Sequence, residues 1–128
     1  MAGLSDYYEN KVIDHMLRGQ AFTPPSTIYV GLYTTAPTDA GGGTEVSGNG
    51  YARQSVTLTA ASGGSTSNAS DITFPQATGD WGTIVAVGLF DASTGGNLLA
   101  WSNLTESKTI NAGDVLKIPA GQLTFTID

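Results

Sequence analysis

Thr83-Ile84-Val85-Ala86-Val87-Gly88-Leu89-Phe90 reads as the most continuously apolar strand of the chain. A run of this length that is greasy on both faces belongs at the centre of a sheet. The segment Ala92–Asn97 follows it and carries Gly95-Gly96, a tight hairpin signal, and Leu98–Trp101 is the returning strand. Upstream, Thr27–Thr34 alternates Ile28, Val30 and Leu32 against Tyr29, Gly31 and Tyr33, so both of its faces are at least partly covered. Short strands are expected at 53–59, 71–74, 107–110, 115–118 and 122–127. Asn111-Ala112-Gly113-Asp114 and Pro119-Ala120-Gly121 form the last turns. The segments 36–50 and 62–70 read as polar loops, the second with a hairpin tip at Gly63-Gly64. Roughly eight short strands predict a mainly β protein, a single sandwich or jelly-roll-like domain.

The first turns break this pattern. Ser5 is a good N-cap, Asp6 and Glu9 follow it, and His15 and Arg18 precede Gly19. Tyr8, Val12, Ile13, Met16 and Leu17 form an apolar stripe. The spacing predicts one N-terminal α-helix over 5–18. A helix this short needs a surface to lean on. Pro24-Pro25 then stiffens an extended connector. The expected organisation is a helix and docking arm over 1–26 and a β-sandwich over 27–128.

Composition narrows the function. With 128 residues the chain has the size of one domain. Charged residues make up 12% of it, about half the usual share. The surface must then be covered largely by small polar residues and suits lying against protein. The net charge is −6, and the five Lys and Arg residues are scattered, which argues against nucleic-acid or anionic-lipid partners. There is no Cys, no apolar leader pattern at the start and no stretch of membrane-spanning length.

Reactive groups are sparse. His15, the single histidine, reads as a surface group near a helix end, and one His makes a transition-metal site unfavourable. Asp71, Asp80 and Asp91 sit at strand ends or loops and could pair as in glycoside hydrolysis, but turn Asp residues bonding backbone are far commoner. The Gly-rich segments 41–43 and 48–50 lack the following Lys and helix of a phosphate loop. Asn68-Ala69-Ser70 and Asn103-Leu104-Thr105 match the glycosylation sequon, as chance allows in so Ser/Thr-rich a chain. Trp81 and Trp101 read as core or interface anchors. No catalytic residue, cofactor or metal is expected.

The motifs Leu4-Ser5-Asp6-Tyr7-Tyr8-Glu9, Phe22-Thr23-Pro24-Pro25, Gly50-Tyr51-Ala52-Arg53, Ile72-Thr73-Phe74-Pro75, Asp80-Trp81-Gly82 and Gly95-Gly96-Asn97-Leu98-Leu99 carry a resemblance over nearly the whole chain. The sequence resembles a family of small tailed-bacteriophage virion proteins, commonly labelled tail-fibre proteins. It is also similar in character to head-decoration (cement) proteins, which sit as trimers on the capsid. The resemblance implies a structural protein on the capsid surface that holds the major capsid protein lattice and itself, as a homotrimer. The alternative is a tail-fibre or tail-tip component that meets a host glycan or receptor. Tyr8, Val12, Met16, Phe22, Pro24, Pro25 and Trp81 are the expected protein-interface residues.

Overall fold

The computed structural model of the chain describes residues 3–126. Its elements run β1 (Gly3–Leu4), α1 (Asp6–Arg18), β2 (Ile28–Thr35), β3 (Thr44–Glu45), β4 (Gln54–Val56), β5 (Ser65–Ser67), β6 (Ile72–Thr73), β7 (Gly82–Phe90), β8 (Leu98–Ile110), β9 (Lys117–Ile118) and β10 (Thr124–Thr126). The protein is mainly β with one helix, as expected. An antiparallel sheet in the order β1-β8-β7-β2-β3, with β4 also paired to β2, forms one layer. The pairs β5–β10 and β6–β9 supply the facing layer.

The strand β7 is central, flanked by β2 and β8. Its two faces serve two cores. Ile84, Val87 and Leu89 point inward with Val30, Leu32, Phe74, Trp81 and Leu123, whereas Val85, Ala86 and Phe90 point outward with Tyr29 and Tyr33. Val85 and Ala86 share a face, so the two-residue alternation slips once there. The slip coincides with a register shift, in which Ile84 pairs Lys108 but Ala86 pairs Asn103. Residues 104–107 therefore bow out opposite Val85, as in an extended β-bulge. This corrects the expectation of two strands at 98–101 and 107–110. One strand of 13 residues spans both, because the polar residues between them occupy a bulge rather than a turn.

On the outer face Gly31 and Gly88 are direct partners across β2 and β7. A Cβ on Gly31 would come within 2.8 Å of the Phe90 ring, and one on Gly88 within 3.0 Å of the Tyr33 ring. The bare backbone is what lets Tyr33 and Phe90 stack flat on the sheet, 6.2 Å between centroids.

Two loop expectations and the bounds of the last strand change. The segment 36–50 contains β3, and 62–70 contains β5 behind a tight turn in which Ser62 pairs Ser65. The last strand spans Thr124–Thr126, and Ile127 lies outside the described residues. In the second layer Asn68 is 1% exposed. Its amide donates to the Ser70 and Pro119 carbonyls and its Oδ1 accepts from the Leu123 N–H at 2.9 Å. A sequon asparagine so enclosed is a structural clamp, not a glycan acceptor.

Candidate interaction surface

The helix is fastened to the sandwich at its N-cap. Ser5 is buried, its N–H donates to the Leu99 carbonyl at 2.8 Å, and its hydroxyl donates to the Leu98 carbonyl. The same oxygen accepts from the Tyr8 N–H at 3.3 Å, the N-cap bond that starts α1. Gly19, in the left-handed conformation at φ 67°, ends it. Tyr8 packs on the core, and burial first, then the nearby Tyr7 and Asp91, raises its pKa. Phe22 folds back edge-on to Tyr8, 5.7 Å between centroids, and lies against His15. His15 Nδ1–H donates to the Gln20 carbonyl at 3.0 Å on the exposed side. The connector after the helix thus closes on the helix itself.

The expected interface residues divide. Tyr8, Val12, Phe22 and Pro25 are half-buried in the chain's own packing, whereas Met16 and Pro24 are exposed. Trp81 is 6% exposed and sits in the inner core, its indole N–H donating to the Asn49 carbonyl at 2.9 Å. It can offer no face to a partner, so of its two readings only the core one fits. Trp101 goes the other way. Read from the sequence as a core or interface anchor, it is half-buried in mid-strand and donates to Asp39 Oδ1 at 3.0 Å.

Two positions not singled out as interface residues are the more open ones. Ile13 is 50% exposed and Leu17 80%, beside Met16 at 71%. At about 100° per residue, Leu17 lies opposite Tyr8 on the helix. The five apolar positions read from the sequence are therefore too wide a stripe for one contact. Tyr8 takes the sandwich, Val12 is half-buried, and Ile13, Met16 and Leu17 are left over. The width of the stripe was the available signal.

Under Tyr8 an apolar cleft of about 300 Å³ opens between Leu4, Ile28, Leu58, Leu89, Leu99 and Phe125. Tyr8 is the one titratable side chain on its wall, and the rest of the lining is apolar or small, so the cleft suits hydrocarbon. At the helix start Asp6, Glu9 and Asp39 bring carboxylate oxygens within 4.8 Å of one another, all exposed. They are the one described group with the spacing for a cation, and one Asp39 oxygen already accepts from the Trp101 indole N–H.

A polar cluster lies on the outer sheet face. Arg53 grips Glu45 with two bonds of 2.8 Å, and its Nη1 donates to the Ala92 and Gly95 carbonyls at 2.9 and 2.8 Å. Its guanidinium lies 3.6 Å from the Phe90 ring centroid. Tyr51 donates to Glu45 at 2.6 Å and accepts from the Leu32 N–H. Burial, then the bond to Glu45, pushes the Tyr51 pKa far up. Burial also lifts Tyr33 to about 12, aided by Glu45 and opposed by Arg53. Every strong group here is already partnered, so the cluster ties the 92–95 tip to the sheet rather than offering a reactive centre.

The other acids behave alike. Asp71 accepts from the Ala120 N–H, Asp80 from the Ala112 N–H, and Asp91 from the backbone and side chain of Asn97. Burial opposes ionisation of Asp91, but the two Asn97 bonds outweigh it and hold its pKa below the usual range. Each carboxylate pins a turn. Among the described residues no helix is long and apolar enough to cross a membrane.

Comparison with known families adds one match. A family model described as Podophage GP4 fiber I protein gp80 covers residues 3–126. No curated protein matches the chain.

Proposed function

We propose that this chain, which belongs to the podophage GP4 fiber I protein gp80 family and is a phage structural protein, docks on the viral particle through α1 and decorates and stabilises the capsid. The observation that carries this reading is the leftover row Ile13, Met16 and Leu17 on a helix already fastened to its own domain. Apolar side chains held outward on a rigid support fit a protein contact. Among the described residues there is neither a coiled coil nor a repeat that could make a shaft. Many copies bound only to the mature shell would stabilise it by linkage. The partners under this reading are the major capsid protein and further copies of the chain in a trimer, with no nucleic acid and no membrane. The work is done by shape and binding, without catalysis or cofactor.

A second reading, a tail-fibre or tail-tip component meeting the host, is favoured by the description of the family as a fiber protein. Trp81 cannot serve it as a sugar platform. The half-exposed Trp101 beside Asp39 would have to. Heating particles assembled without the protein tests the capsid role: they should release DNA at a lower temperature than complete particles. Unchanged stability would remove the cement reading and leave the tail one.

A further inference from the structure

The outward face of α1 is not uniform. At about 100° per residue, Asp6, Glu9, Ile13, Met16 and Leu17 fall within roughly 100° of arc, so they form one stripe along the helix. Its first turn is acidic and its last two are apolar. Asp39 joins the acidic end, because the Asp6 N–H donates to its carbonyl at 2.8 Å and its carboxylate meets those of Asp6 and Glu9. The helix cations do not neutralise this end. Arg18 is bridged to Asp14 at 3.0 Å, and Lys11 lies over the Tyr7 ring at 5.6 Å. Three carboxylates without an ion-pair partner among the described residues thus border an exposed apolar row.

Resting on the docking reading above, we infer that α1 seats in an apolar groove of another virion protein, and that clustered Lys or Arg side chains close the end of that groove facing Asp6, Glu9 and Asp39. The rise of about 1.5 Å per residue places those cations roughly 10 Å from the centre of the apolar contact. Charge complementarity at one end fixes the direction in which the helix lies, which an apolar row alone cannot do. An uncharged or acidic groove would leave three carboxylates facing low dielectric or like charge.

The test is binding of the purified full chain to virions assembled without it, measured across about 50 to 200 mM salt. The triple change Asp6→Asn, Glu9→Gln, Asp39→Asn preserves shape and the Trp101 acceptor. It should weaken binding about tenfold at low salt and flatten the salt dependence. A parallel variant, Ile13→Ser with Met16→Ser and Leu17→Ser, should abolish binding with the urea midpoint unchanged. If the acid variant binds like the parent with the same salt slope while the apolar variant fails, the basic groove is wrong and helix docking stands. If the apolar variant binds normally, the docking reading falls and this inference with it.

Discussion

The Arg53 cluster and the outer face of α1 invert ordinary burial in opposite senses. On the outer sheet face, a guanidinium and a carboxylate are covered, and each finds its partners: Glu45, the 92–95 carbonyls, Tyr51 and the Phe90 ring. On the helix, Ile13, Met16 and Leu17 turn outward and stay exposed among the described residues. The first inversion is complete within one molecule and so concerns shape. The second is incomplete and so concerns something outside. Substitutions should separate them cleanly: cluster changes reduce stability, and helix changes reduce attachment.

The largest loss is expected at the cluster. Arg53→Ala strands Glu45 and two loop carbonyls, and should cost about 3 kcal/mol in urea unfolding. Asn68→Ala, which leaves the buried Leu123 N–H without an acceptor, should cost roughly 2 kcal/mol. Tyr51→Phe removes one bond to Glu45 and one from Leu32, and should cost about 1 kcal/mol near neutral pH. Its pH signature has a definite sign. The folded state holds Tyr51 and Tyr33 protonated, so their contribution is full below the ordinary tyrosine range and drains away as pH rises above about 10. The Phe variant should therefore lose less stability than the parent over that alkaline range. At the small end, Ile13→Ser, Met16→Ser and Leu17→Ser should each stay within about 0.5 kcal/mol of the parent. A loss at Leu17 comparable to that at Arg53 would erase the contrast.

Acid pH sharpens the same contrast from another side. The Asp91 carboxyl is held below its unfolded value, so its contribution is present above the ordinary Asp range and is lost as pH falls through the folded value. Asp91→Asn should lower stability at neutral pH, where that contribution is full, and flatten the acid limb so that the two curves converge at low pH. An unchanged acid limb would show that the Asn97 bonds add nothing to the tip.

Local signals in the sequence were decisive where the structure is local. Ser5 and Gly19 bracket the helix by capping chemistry that needs no neighbour, and Thr83–Phe90 could lie only in the middle of a sheet. Turn residues marked the hairpins for the same reason. What escaped is what distant segments decide together. Arg53 reads as a lone base until Glu45, Phe90 and Gly95 are brought around it, and nothing near position 101 announces that Asp39 will draw the Trp101 indole outward. The bulge at 104–107 depends on a register with β7 that no window along the chain contains. The contact surface was half legible. The apolar positions of α1 were plain, but which of them the sandwich claims depends on where Ser5 pins the helix.

Imaging the intact particle by cryo-EM, at a resolution that traces α1, tests the central claim most directly. The account predicts density for another virion polypeptide packed against Ile13, Met16 and Leu17 in every attached copy. Copies attached by another surface, with that face of the helix in solvent, would contradict it.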